Sequence, residues 1–307
     1  MTSVVVLGGS GFVGRSLCPA LVAAGCKVSS ISRSPVIRRH PGVSYVDCNF
    51  DNIYQLGELY QQADFIFHLA CDTTPATSSR QSSLEVTANL LPSLRLLEYL
   101  EHQCKAVLVY LSSGGTVYGD TGDAPCTELN TTSPISYYGA SKASLELFFQ
   151  AYHLQTGNPV VILRPSNIYG PGQLAKQQFG FIPTLFSALQ DGSDFNLMGD
   201  GRSVRDFLFI GDFVSLCVSI ANSDLTADKQ CSTYNVGSDE GVELIELIQL
   251  AQELTGKTLQ LKHLPPRDVD VRSIVLDSSK AKSEFDWRPE TAMESGLVQT
   301  WNWLSER

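Results

Sequence analysis

Tyr138 and Lys142 stand four apart in the segment YYGASK, a spacing that puts both side chains on one face of a helix. A free tyrosine gives up its proton at a pH of about 10 and is a poor base at neutrality. A neighbouring ammonium favours the phenolate and leaves a base able to take a proton from an alcohol or sugar hydroxyl. By itself YxxxK is common, and it suits a half-buried tyrosine beside a surface lysine equally well. The start of the chain supplies context. An apolar run from Thr2 to Leu7 leads straight into GGSGFVG, with Gly8, Gly11 and Gly14 spaced as GxxGxxG. A buried strand that stops at a glycine turn and continues as a helix is a cradle for a dinucleotide. The glycines permit close backbone approach, and the helix N-terminus offers free N–H groups to a pyrophosphate. A bound nicotinamide ring would add a second positive charge beside Tyr138.

Alternating strands and helices must hold these groups in place. Val4 to Leu7, Lys27 to Ile31, Val43 to Asp47, Asp64 to Leu69, Ala106 to Leu111 and Val160 to Leu163 read as strands. Gly11 to Ala24, Ile53 to Gln61, Leu84 to Glu101 and Tyr137 to Thr156 read as helices, the last preceded by a long loop. This rhythm predicts an α/β fold with a parallel, doubly wound sheet. After Arg164 the alternation breaks up, and helices are expected at 181–189, 242–254 and 294–303. The expected division is a dinucleotide-binding domain over 1–170 and a smaller mixed α/β substrate-binding region over 171–307. Part of 206–240 is a candidate to return to the first domain.

With 307 residues, 43% of them hydrophobic, the chain has material for one large domain and a smaller one. No run of about 18 apolar residues suggests a membrane span, and no basic leader with a cleavage site precedes the first strand. The eight cysteines are scattered without a CxxC pair, which points to reduced thiols in a cytoplasmic protein and to no metal site. A net charge of −10 argues against nucleic-acid and anionic-membrane partners. A small anion held by converging arginines fits that charge.

Further segments follow in order: FHLA at 67–70, SSGGTVYG at 112–119, RPSNIYGPGQ at 164–173, GRSVRDFLFIGD at 201–212 and YNVGS at 234–238. With GGSGFVG and YYGASK, they make the chain resemble the extended short-chain dehydrogenase/reductase family, in its nucleotide-sugar epimerase, dehydratase and reductase branch. The resemblance runs nearly end to end and implies a Rossmann-type sheet, with Tyr138 and Lys142 catalytic. It also implies a serine or threonine hydroxyl beside them. Aligned on VYG, that hydroxyl falls on Gly114, a departure from the family pattern. Ser113, and after it Thr116, are the candidates to replace it, unless both merely end a strand. Sugar 4,6-dehydratases of the branch carry an Asp–Glu pair where this chain has Gly115 and Thr116, which disfavours that reaction.

The resemblance further implies a cofactor site. Gly8, Gly11, Phe12, Val13 and Gly14 form its turn, Leu69, Ala70 and Pro165 its walls, and Asp47 with Cys48 its adenine end. At the end of the second strand, where an NAD enzyme carries an acidic residue, this chain has Ser32 and Arg33, with Arg38 and Arg39 close behind. A guanidinium can grip a 2′-phosphate, so the pair tilts the cofactor from NAD toward NADP. The plainer reading leaves Arg33 in solvent and the ribose on Ser32 and backbone. Asn167, Arg205 and Arg267 match residues that grip a nucleotide-sugar diphosphate. His68 is expected to pack under the cofactor, outside the chemistry.

The implied activity is a 4-epimerase acting on a UDP- or dTDP-hexose by transient oxidation at C4. Two other readings stay open: an NADPH-dependent reductase of 4-keto sugars, and a non-catalytic dinucleotide-binding regulator or scaffold. A homodimer packed through the helices near 84–101 and 137–156 is also implied. Phe148, Phe149 and Tyr152 suit either that interface or the core.

Overall fold

The computed structural model describes residues 1–34, 39–49, 52, 56–122, 124–175, 180–225, 230–266 and 271–307. Arg38, Arg267 and the expected helix start at 53–55 lie outside them. Strands β1 (Ser3–Leu7), β2 (Lys27–Ser32), β3 (Val43–Asp47), β4 (Phe65–His68), β5 (Val107–Leu111) and β6 (Val160–Pro165) pair in parallel in the order β3-β2-β1-β4-β5-β6. A parallel sheet is covered on both faces, so its strands read as unbroken apolar runs, as VVVL, FIF and VLVYL do here. Alternate residues of β1 serve opposite faces. Val4 and Val6 pack with Leu17, Cys18 and Leu21 of α1 (Phe12–Ala23), while Val5 and Leu7 share a core with the helices of the other face.

On that other face lie α2 (Gly57–Gln61), α4 (Leu91–Gln103) and α6 (Tyr137–Thr156), with α3 (Pro75–Arg80) and the short α5 (Gly114–Val117) packed against α6. Three of these differ from the sequence expectation. Residues 112–136 are not all loop, since α5 opens directly after Ser113. The helix expected from Leu84 begins instead with a π-helical stretch, Glu85–Leu90, before α4 takes over. Pro92 in the first turn of α4 cannot supply the N–H that an α-helix would offer to the Ala88 carbonyl, which favours a wider winding upstream. Finally, α3 is closed at its start by a reciprocal Thr74–Thr77 capping box, a local signal missed in TTPAT.

The chain leaves the sheet through β7 (Asn167–Tyr169), α7 (Phe181–Asp191), β8 (Phe195–Met198) and β9 (Val204–Phe209). It then comes back. Helix α8 (Ile210–Asn222) packs on α1, and β10 (Cys231–Val236) joins β6 as the seventh strand of the parallel sheet. The remainder comprises β11 (Gly241–Glu243), α9 (Leu244–Thr255), β12 (Leu261–Leu264), β13 (Ser273–Ile274), α10 (Ser279–Phe285) and α11 (Met293–Ser305). Strand β9 is flanked by β7, β11 and β13, and β8 pairs with β12. Val242 and Glu243 thus belong to a strand rather than to the helix expected from 242; Glu243 caps that helix. All eight cysteines are free thiols, and among the described residues no helix is long and apolar enough to cross a membrane.

Candidate active site

The C-terminal ends of β1 to β6 all point to one rim, the usual ligand side of an open α/β sheet, and order reverses between β1 and β4. Gly8 follows β1 with φ +87°, and a Cβ there would lie 2.9 Å from the Ala70 nitrogen. A Cβ on Gly14 would lie 2.5 Å from the Gly9 Cα, so the turn closes on α1 only without side chains. Gly11 caps α1 with no side-chain bond, which leaves the first N–H groups of the helix facing the rim. Leu69 donates to the Leu7 carbonyl at 3.0 Å and brings Ala70 against Gly8. Phe12 lies against the loop at Gly172, whose carbonyl accepts from Arg15 at 2.9 Å. Val13 packs on the core beside it, and Pro165 ends β6 buried. This cradle fits a dinucleotide pyrophosphate: it is side-chain-free, narrow and electropositive.

Toward the adenosine end, Ser32 is buried and its hydroxyl donates to the Ser34 carbonyl at 3.4 Å. Arg33 is ion-paired with Asp72 rather than free in solvent. Asp47 lies 3.9 Å from Arg39, and Cys48 donates its N–H to the Ser32 carbonyl at 3.0 Å.

Helix α6 positions the candidate base. Ser136 caps it by accepting from Gly139 N–H at 3.1 Å, and a Cβ on Gly139 would sit 2.4 Å from the Thr116 carbonyl oxygen. Helices α5 and α6 therefore touch backbone to side-chain-free backbone right beside Tyr138. Lys142 is buried, donates to the Leu111 carbonyl at 2.8 Å, and holds its ammonium 5.7 Å from the Tyr138 ring centre. The expected lowering of the tyrosine is not what this environment produces. Burial pushes the Tyr138 phenol well above its ordinary value, with Cys71 and the Glu85 carboxylate adding in the same direction. The Lys142 ammonium does not offset this, and any lowering must come from charge brought in with a ligand.

Of the two candidate hydroxyls, Ser113 is the half-buried residue before α5, and its side chain makes no cap bond. The Thr116 hydroxyl is buried without a hydrogen-bond partner. At Gly114 a Cβ would lie 2.6 Å from a Leu276 methyl and 2.8 Å from the Arg164 carbonyl oxygen, so the family's usual side chain is sterically shut out there. At Gly115 a Cβ would make ordinary contact with the Asn167 amide, 3.8 Å away. His68 is buried against Tyr110 and Phe149, bonds Ser93 at 3.0 Å, and is pushed down to about 3 by burial, with Lys142 adding to the shift.

Beneath these groups runs a network that the sequence did not single out. Glu146, one turn beyond Lys142 on α6, accepts from Arg164 Nε at 3.0 Å and from its Nη2 at 2.5 Å, and from the Ser112 hydroxyl. Arg164 Nη1 donates to the Tyr118 hydroxyl at 2.7 Å, which donates to Asn235 Oδ1 at 2.6 Å. Burial works against the guanidinium's charge, and the bonds to Glu146 outweigh it, holding Arg164 above its ordinary value. The only sequence signals were a glutamate among apolar residues in LELFF and a charge ending an apolar strand.

Asn167 and Arg205 line one cavity of about 500 Å³, walled by Phe181, Phe195, Phe207 and Met198. Asn167 donates to the Asp206 carbonyl at 2.8 Å, and Arg205 to the Val204 carbonyl at 2.9 Å. Arg267, the third expected phosphate ligand, is outside the described residues. Phe149 and Tyr152 are core residues, Phe149 stacked on Tyr110 at 4.5 Å, so of Phe148, Phe149 and Tyr152 only Phe148 is exposed.

A family model described as the NAD dependent epimerase/dehydratase family matches residues 4–237. A putative UDP-glucose 4-epimerase of Methanocaldococcus jannaschii is 26% identical over 98% of each chain. A dTDP-4-dehydro-6-deoxyglucose reductase of Escherichia coli is also 26% identical, over 96% of this chain and 95% of its own. Among solved structures, the UDP-glucose 4-epimerase of Thermus thermophilus in complex with NAD superposes with a TM-score of 0.90, covering 99% of both chains at 27% identity.

Proposed function

This chain belongs to the NAD-dependent epimerase/dehydratase family of enzymes, and within it we propose a nucleotide-sugar 4-epimerase acting on a UDP- or dTDP-linked hexose. The carrying observation is that α5 links the two halves of the site: its Gly115 faces the Asn167 amide, which lines the cavity with Arg205, and its Thr116 carbonyl lies against Gly139 of α6, next to Tyr138. Asn167 and Arg205 hold the diphosphate, with Arg267 a further candidate. Tyr138 takes the proton of the C4 hydroxyl, Lys142 steadies the phenolate, and Ser113 supplies the assisting hydroxyl, with Thr116 the other candidate. The Gly8–Gly14 cradle would hold a dinucleotide, which when bound would supply hydride-accepting and hydride-returning chemistry at C4. Return to the opposite face requires the 4-keto sugar to turn, and the cavity of about 500 Å³ gives it room to do so.

The test is to incubate the purified protein with UDP-glucose and no added cofactor, then to unfold it and identify any released dinucleotide by mass. The C4 epimer, with close to one equivalent of dinucleotide per chain, is the expected result. Turnover of a 4-keto sugar alone, with NADPH consumed, would replace this reading by the reductase that the Escherichia coli relative suggests.

A homodimer is part of the proposal. Exposed Val86, Leu91, Leu147, Phe148 and Leu154 lie on the two helical stretches in question, more apolar surface than solvated helices normally show. Sedimentation at micromolar concentration should give twice the chain mass, and Leu147→Lys should reduce it to one. A wild-type chain that sediments as a monomer would sink the dimer.

A further inference from the structure

We propose that Asp72 makes the dinucleotide cleft selective for NAD over NADP, supplying from the loop after β4 the carboxylate that the end of β2 lacks. The inference rests on the cleft being a dinucleotide site, as read above. In dinucleotide folds the residue that reads the ribose 2′ position sits at the end of β2. Here that end is Ser32 and Arg33, and by residue type alone it invites a 2′-phosphate. The side chains are arranged otherwise. The Ser32 hydroxyl is turned to the Ser34 carbonyl, and the Arg33 guanidinium is bound to the Asp72 carboxylate.

The position of this ion pair follows from the sheet. The order β4-β1-β2 places β1 between the strands that the two partners follow, so the pair spans the end of β1. Adjacent strands lie about 4.8 Å apart, which puts the two chain ends within reach of an extended arginine. Asp72 is held, not loose. Its N–H donates to Asn89 Oδ1 at 2.9 Å, and buried Asn89 is fixed in turn to Thr73 Oγ1 at 2.7 Å and Glu85 Oε2 at 2.9 Å. Arg39, the other described arginine at this end, is also faced by a carboxylate, Asp47.

A 2′-phosphate brings close to two negative charges, and a 2′-hydroxyl brings none. An anchored carboxylate in contact with Arg33 cancels the charge that would attract the phosphate and repels the phosphate directly. The same carboxylate can accept a hydrogen bond from a ribose hydroxyl, as the acidic residue of NAD enzymes does. Both partners touch solvent, with side-chain exposures of 55% and 32%, so screening limits the effect.

Full-length protein, freed of resident nucleotide with charcoal, can be titrated calorimetrically with NAD⁺ and NADP⁺. The wild type should bind NAD⁺ more tightly. Asp72→Asn, which keeps the side-chain shape, should move the Kd ratio about threefold toward NADP⁺, and adding Arg33→Ala should cancel that gain. The shift should shrink at high salt. Tighter binding of NADP⁺ by the wild type, or an unchanged ratio in Asp72→Asn, overturns the proposal. Binding of neither dinucleotide by the wild type overturns the reading of the cleft itself, and the proposal with it.

Discussion

Tyr138→Phe should cut turnover by about a thousandfold and leave dinucleotide retention unchanged, because only the hydroxyl that accepts the substrate proton is removed. The ring is kept, and the Lys142 anchor on the Leu111 carbonyl does not involve the phenol. Activity within about tenfold of wild type would remove Tyr138 from the chemistry. The pH profile adds a second readout. The tyrosine serves as a base only when deprotonated, and its environment raises its pKa, so activity should climb with rising pH. Cys71→Ala withdraws one raising contribution and should move that limb to lower pH. Lys142→Met withdraws a stabilising cation and should move it higher.

Glu146→Leu should destabilise the protein by about 3–5 kcal/mol, because it strands the Arg164 guanidinium in the interior. That is a large share of the roughly 5–15 kcal/mol that keeps a typical domain folded. Both partners are almost wholly buried, with side-chain exposures of 8% and 3%, so the screening that weakens surface pairs does not apply. Adding Arg164→Met to Glu146→Leu should recover much of the loss, since an apolar pair of similar volume leaves no unpaired charge. Urea unfolding followed by fluorescence measures both. A loss under about 1 kcal/mol for Glu146→Leu would mean that water reaches the pair.

What was readable in the letters was local. The VVVL run, its glycine turn and the helix after it lie within two dozen residues, and so does the Tyr138–Lys142 pair; periodicity and turn chemistry act over such spans. Asn167 and Arg205, far apart in sequence, could be put in one pocket only through family resemblance, and the structure does bring them to one cavity. Partnerships across strands were not readable. Arg33 looked like a phosphate reader because nothing nearby in sequence says that Asp72 will meet it from another strand. Ser112 and Ser113 are indistinguishable as letters; past the end of β5, only the fold sends Ser112 to Glu146 and sets Ser113 at the start of α5. The π-helical stretch before α4 was hidden because apolar spacing near 3.6 was weighed without the missing N–H of Pro92.

The late arrival of β10 bears on how the protein is made. A ribosome that has released the chain only as far as β6 has produced a sheet whose last strand, VVILRP, shows an unpaired and largely apolar edge. Its partner emerges about seventy residues later, on the order of ten seconds at ordinary synthesis rates. Asn235, which completes the bonds behind the Glu146–Arg164 pair, arrives with that strand. The anchoring of α6 is thus finished by the last strand of the sheet to be translated, and the nascent chain must stay clear of other open edges until then.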